Sequence, residues 1–245
     1  MAKVRVERVL SNMGYGSRKE VKLLVKKGKV KVNSETVKNG SFLVDLEKDI
    51  IEFDNIVVEY KEFIYIMLNK PAGFVSATKD NLHETIVDLL DEEDRIFEPF
   101  PVGRLDIDTE GLLLLTNDGK FSHDLLSPKK HIPKKYYVEL DGPISESIVE
   151  KFRDGINVND EYTTMPAKLE ILCEKGKNAA YVTIMEGKYH QIKRMFLEEL
   201  LEVTYLKRLM MGELELDINL ELGQYRELDL AEVELLKNSK RGIDL

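Results

Sequence analysis

The chain has 245 residues, of which 43% are hydrophobic and 33% charged, with a net charge of −9 and one cysteine, Cys173. These numbers describe one large folded domain, or a medium domain with a small companion, and exclude a disordered chain, an internal disulfide and a cysteine-built zinc site. No uncharged run approaches the roughly 18 residues of a membrane span, and the charged N-terminus has no apolar signal core, so a reducing cytosol is the expected compartment.

The net charge is unevenly spread. Residues 1–40 carry 11 Lys and Arg against 3 Glu, a surplus of eight, which leaves the remainder at −17. A basic head on an acidic body predicts that the head meets a polyanion. Val6, Val9, Leu10 and Met13 recur at helical spacing and stop at Gly14. Ser17 and Glu20 stand at capping-box spacing and open a second helix that turns Val21, Leu24 and Val25 inward and ends at Gly28. Lys29–Val32 alternates as a strand, Asn33-Ser34-Glu35 reads as a turn, and a further strand is expected around Ile50–Phe53. The second helix presents Arg18, Lys19, Lys22 and Lys26 outward, and Lys27, Lys29 and Lys31 extend the patch. Like charges four apart destabilise a helix by a few tenths of a kcal/mol per pair, a repulsion that bound phosphates would reverse. Residues 5–44, centred on GSRKEVKLLVKKGKVKVN, resemble an S4 domain, a small RNA-binding module. The head is assigned residues 1–58, with a linker near Asp54–Lys61.

The body, residues 61–238, alternates strands and helices irregularly, which predicts an α+β fold rather than a βαβ series. Strands are expected at Phe63–Asn69, Gly111–Thr116, Tyr136–Leu140, Lys168–Leu172, Tyr181–Met185 and Val203–Leu216. Helices are expected at His83–Asp91, Phe121–Leu126, Tyr189–Leu200 and Asp229–Lys237, the last with Asp229 and Glu232 at capping-box spacing.

The densest group of reactive side chains is Gly103–Gly111, where Asp106, Asp108 and Glu110 sit two apart and would share one face if the segment were extended. A calcium loop beginning at Asp106 needs a bidentate Glu in its twelfth place, where Asn117 stands. His83, His123, His131 and His190 have no zinc-type spacing, and no phosphate-binding loop, dinucleotide fingerprint or serine elbow is present. No metal and no cofactor are expected.

Pro101–Gly119, PVGRLDIDTEGLLLLTNDG, resembles the catalytic motif of the RsuA-type pseudouridine synthases. Asn69–Gly73 is similar to the family's early NKP-x-G motif, Lys134–Val138 to its tyrosine motif, and Glu186–Phe196 to its third motif. With the S4-like head, the resemblance spans nearly the whole chain. It implies a small S4 domain followed by a mixed, largely antiparallel-sheet catalytic domain. It also implies that Asp106 is the essential carboxylate, Lys193 the cation paired with it, and Tyr136 the active-site tyrosine. Tyr136 and Tyr137 are adjacent and point to opposite faces of their strand, so only one can face a cleft. RNA contacts fall by the same resemblance to Arg104, Lys70, His190, Gln191 and Arg194, joined by Arg18, Lys19, Lys22, Lys26 and Lys29 of the head.

The implied reaction breaks the uridine N1–C1′ bond and joins C5 to C1′, adding and removing nothing. One ionised carboxylate suffices, as nucleophile or as base at the sugar, and a nearby cation favours its charge. The target base must be extruded to be reached. Tyr189–Phe196, Ser122-His123 and Ser127-Pro128 look more like the small-subunit enzyme than the large-subunit type, although Lys135 stands where Thr is frequent. The implied partner is small-subunit ribosomal RNA, the target is of the 16S uridine-516 type, and the protein is expected to act as a monomer. A large-subunit (23S) synthase and a non-catalytic RNA-binding ribosome-assembly factor are the alternatives.

Overall fold

Local chemistry sets the first elements. The Ser17 hydroxyl accepts from the Glu20 amide, and the Glu20 carboxylate accepts from the Ser17 amide at 2.8 Å, so a capping box opens the helix at Arg18. The computed structural model describes residues 3–159, 161–172 and 178–239; Cys173 lies outside them. The chain forms two compact units. One holds the chain up to Ile64 together with Asp91–Pro99, and the other holds Tyr65–Leu90 and the chain from Phe100 onward.

The first unit contains β1 (Val4–Arg5), α1 (Val6–Asn12), α2 (Arg18–Lys26), β2 (Val30–Val32), β3 (Glu35–Val37), β4 (Leu43–Val44), β5 (Ile51–Phe53), β6 (Ile56–Val57) and α3 (Glu92–Arg95). Four strands form an antiparallel sheet in the order β3-β2-β5-β6, and β1 pairs with β4. Val6, Val9, Leu10, Val21 and Val25 of the two helices bury themselves against Val30, Val32 and Ile51, while Leu24 is only half-buried. Asn33 and Ser34 both have positive φ and turn β2 into β3; Asp54 and Asn55 do the same between β5 and β6. The expected linker at Asp54–Lys61 thus begins inside a hairpin, because Asp and Asn side chains tolerate the left-handed conformation that such a turn requires.

The second unit is built on β7 (Tyr65–Lys70), β8 (Phe100–Val102), β9 (Glu110–Thr116), α4 (Gly119–Leu126), β10 (Lys134–Leu140), α5 (Glu146–Asp154), β11 (Asn157–Val158), β12 (Tyr162–Thr163), β13 (Lys168–Leu172), β14 (Asn178–Ile184), α6 (Gln191–Leu197), β15 (Val203–Met211), β16 (Leu214–Glu215), β17 (Tyr225–Glu227) and α7 (Leu230–Lys237). The main sheet runs β13-β14-β10-β15-β9-β7-β17, with β16 on β15 and β8 on β9. Its pairings are antiparallel except where β15 meets β9 through Lys207↔Glu110 and Arg208↔Gly111. Gly111 has φ +98°, and a Cβ there would strike the Arg208 carbonyl oxygen, so the two strands can approach only at a glycine. Leu112 to Leu115 are at most 1% exposed, which explains their unbroken apolar run: this strand is covered on both faces.

One expected helix is absent. His83–Asp91 forms turns, with Val75 bridging to Thr85. The Asp88 carboxylate accepts from the Thr85 amide and hydroxyl, both at 2.8 Å, and the Asp80 carboxylate accepts from the Leu82 and His83 amides. Side chains that capture nearby amides in this way compete with the helix ladder.

Candidate active site

The segment between β8 and β9 is a tight loop rather than an extended strand. The Thr109 amide donates to the Asp106 carbonyl at 3.1 Å, and Ser76 serves Leu105 twice, its hydroxyl donating to the carbonyl and accepting from the amide. The Gly73 amide donates to the Ile107 carbonyl. Lys70 is fully buried, and its ammonium donates to the carbonyls of Pro71, Asp106, Ile107 and Thr109 at 2.8–3.2 Å. The expectation that Lys70 meets RNA is therefore corrected: its ammonium is buried against the carbonyls of this loop and of Pro71. Burial pushes this ammonium down to about 8, against the pull of the Asp108, Asp106 and Glu110 carboxylates.

The segment is not extended, and its three carboxylates are divided: Lys193 approaches Asp106 and Asp108, while Glu110 is engaged by Tyr205. Glu110 accepts from the Tyr205 hydroxyl at 2.7 Å, and Asp108 accepts from Lys193 at 2.6 and 2.8 Å. Asp106 lines a small cavity with Tyr136, Arg104, His190, Gln191 and Lys193. Lys193 Nζ lies 3.5 Å from one Asp106 oxygen, and His190 Nε2 lies 3.6 Å from the other. α6 delivers both side chains: His190 is its N-cap, held at φ 48°, and Lys193 stands one turn later. Burial opposes ionisation of Asp108, but the Lys193 hydrogen bond and charge outweigh it and hold this carboxyl below its usual range.

Tyr136 is 7% exposed and lines the cavity. Tyr137 is on the opposite face of β10, where its hydroxyl donates to Glu139 and its ring meets Tyr181 and Tyr205 edge-on. Gln191, which lines the cavity, is buried, donates to Glu186 at 2.8 Å and accepts from the Lys188 amide at 3.0 Å, closing the turn before α6. Arg194 pairs with Glu161 and lies over the Tyr162 ring, away from the Asp106 cavity. Among the described residues no group of three or more His, Cys, Asp or Glu side chains is arranged to hold a metal ion.

The profile of the RNA pseudouridylate synthase family matches residues 64–198, and that of the S4 domain matches residues 4–51. An RNA pseudouridine synthase of Bacillus subtilis is 49% identical over 95% of this chain and 98% of its own. Ribosomal small subunit pseudouridine synthase A of Vibrio parahaemolyticus is 41% identical, over 96% of this chain and 100% of its own. The chain belongs to the RNA pseudouridylate synthase family. Its Escherichia coli relative of the same small-subunit name is 38% identical over 85% of this chain and 89% of its own. A crystal structure of a pseudouridylate synthase superposes with a TM-score of 0.67 at 37% identity, covering 95% of this chain and 99% of that one. The α+β architecture and the S4 head are those of an RNA-modifying isomerase of this family.

Sequence reasoning assigned no role to several residues that shape this synthase's site. Asp108 holds Lys193 more closely than Asp106 does, at 2.6 Å against 3.5 Å. Lys188 stands 3.4 Å over the Tyr162 ring beside the cavity. Lys134 and Arg208 are drawn inward from neighbouring strands. Only the alternation of β10, which puts Lys134 on the same face as Tyr136, hinted at any of these.

Two predictions arise here. Asp108→Asn keeps at least about a tenth of parental single-turnover rate, while Lys193→Met falls about a hundredfold, because only the second removes the cation beside Asp106. An Asp108→Asn enzyme as slow as Lys193→Met would overturn that ranking. The second concerns Lys134, which burial and Arg208 push down to about 8 against the pull of Glu186. The folded protein releases this proton at lower pH than the unfolded chain does. Stability relative to Lys134→Met therefore rises as pH climbs from about 8 to 10.5, by on the order of 3 kcal/mol. Urea melts of both proteins at pH 7 and pH 10 measure it, and a pH-independent difference sinks it.

Proposed function

We propose that this synthase converts one uridine of small-subunit ribosomal RNA to pseudouridine, at the position of the 16S uridine-516 type. The observation that carries the chemistry is the Asp106 carboxylate in a cavity shared with Tyr136, 3.5 Å from the Lys193 ammonium. In this reading Asp106 acts on the extruded nucleotide as nucleophile or as base at the sugar, with the Lys193 ammonium as its neighbouring positive charge. Tyr136 stacks on the uracil, and Arg104 and His190 hold the strand beside it. The small-subunit target is supported by the names of relatives 36–41% identical to this chain.

The head, residues 1–58, is proposed to hold RNA through the exposed side chains of Arg18, Lys19, Lys22 and Lys26, while residues 61–238 carry out the reaction. Lys29 is partly committed, pairing with Asp54 at 2.7 Å. Lys22 lies 3.6 Å from buried Glu7, so reversing its charge would also disturb the fold. Lys19→Glu with Lys26→Glu is the cleaner test. RNA affinity should fall, and the slope of log K against log salt should flatten by about 0.7–0.9 for each phosphate that the helix no longer neutralises. An unchanged slope would remove this helix from the RNA account.

The deciding experiment is chemical mapping of pseudouridine in ribosomal RNA from cells with and without this protein. Loss of one small-subunit pseudouridine is the expected result. Loss at a large-subunit position would replace the substrate, and an unchanged pattern would overturn the reading.

A further inference from the structure

Tyr136 and Arg104 are shared by two cavities. The one at Asp106 is small, about 70 Å³, whereas its neighbour measures about 490 Å³, within the range of small-molecule sites. Leu125, Leu126, Ile132, Met165 and Met185 give the larger cavity apolar walls, and Lys134 and Arg208 stand along it. Asp106 does not line it.

The cationic lining is unusual for an apolar space. Arg208 is 2% exposed and gives its Nε hydrogen to the Leu112 carbonyl at 2.7 Å, but its buried Nη2 has no hydrogen-bond partner among the described residues. Lys134 donates to the Ile132 carbonyl at 2.9 Å, leaving two ammonium hydrogens for other acceptors. Glu186 also lines the cavity, but one of its oxygens already accepts from the Met165 amide at 2.9 Å and from Gln191 at 2.8 Å. Donors exceed acceptors here, and a buried guanidinium donor left without a partner is costly.

We propose that this cavity is a subsite for a guanine base adjacent to the target uridine on the same RNA strand. The inference rests on the reading that Asp106 receives the extruded uridine. That uridine must reach Asp106, so the larger space beside it is left for the strand's next unit. Apolar walls carrying two thioethers suit an aromatic ring, whereas a phosphate would be pressed against hydrocarbon. Guanine places two acceptors, O6 and N7, side by side on one edge, the pattern that arginine and lysine recognise. Adenine presents its N6 donor where O6 would be, toward a site already rich in donors.

The test uses the full chain labelled with ¹³C at its methionine methyls, with the Met165 and Met185 signals assigned by substitution. Guanosine 5′-monophosphate should shift both signals saturably. Adenosine 5′-monophosphate should bind at least about fivefold more weakly, as loss of base-edge pairing implies. Leu126→Trp, which fills the cavity from a half-exposed wall position, should weaken guanosine monophosphate binding at least about tenfold. Equal binding of the two nucleotides by the parent overturns the proposal, as do methyl signals that stay still, and neither outcome depends on the variant folding. Asp106→Asn should leave the guanosine monophosphate shifts unchanged. Nucleotide binding without any ribosomal pseudouridine would therefore count against the catalytic reading alone, and pseudouridine formation without guanosine monophosphate binding would count against the subsite alone.

Discussion

Asp106→Asn should reduce single-turnover pseudouridine formation to below about one-thousandth of the parental rate while RNA affinity stays within about threefold. The substitution keeps the shape of the side chain and removes only its charge. Other carboxylates are close, so the structure must explain why none can replace it. Asp108 is held by two hydrogen bonds from Lys193, and Glu110 is held by Tyr205. Asp106 alone of the three lines the cavity with Tyr136. Its neighbours, His190 Nε2 at 3.6 Å and Lys193 Nζ at 3.5 Å, both lie farther away than a strong hydrogen bond. That leaves the carboxylate able to engage a substrate atom. Single-turnover conversion on a small-subunit RNA transcript, with filter binding on the same samples, measures both quantities. A parental rate in the variant would remove Asp106 from the chemistry.

Lys70→Met should lower stability by about 3 kcal/mol and the melting temperature by roughly 10 °C. Methionine fits the volume but donates nothing, so the carbonyls of Pro71 and Thr109 lose their ammonium partner inside the protein, while the Asp106 and Ile107 carbonyls keep the Thr109 and Gly73 amides. Part of that penalty is offset, because an ammonium no longer has to be buried. The loop that carries Asp106 should loosen, and a misplacement of about 1 Å at a reacting group can cost a hundredfold in rate. Activity should therefore fall further than the loss of folded protein accounts for. Denaturant melts and single-turnover rates on the folded fraction test this. If Lys70→Met melts with the parent and loses only RNA affinity, the side chain belongs to the RNA surface after all.

Much of this molecule is legible in its order of residues, because the signals involved are local. Ser17 with Glu20, and Asp229 with Glu232, close capping boxes where their spacing predicts them. The four-leucine run is a buried strand, and the strand at Lys168–Leu172 has the expected bounds. The motif around Asp106 could be read from its resemblance to a family, and family membership follows from comparison over most of the chain. Other features resisted reading. The helix expected at His83–Asp91 lost to side-chain bonds from Asp80 and Asp88, and α5, with Ile148 and Phe152 buried, drew no notice among its charged neighbours.

The amino-acid order by itself determined the basic head, the α+β class and the carboxylate-bearing motif, since each depends on periodicity or on neighbours a few residues apart, whereas the placing of Asp91–Pro99 with the first unit does not. Only the tertiary structure decided which partners hold Asp108 and Glu110, that Lys70 is a buried clamp, and that Arg208 and Lys134 line a second cavity beside Tyr136. The physical reason is that a charged side chain's role depends on its water exposure and on partners distant in sequence, 85 residues away for the hydrogen bond from Lys193 to Asp108.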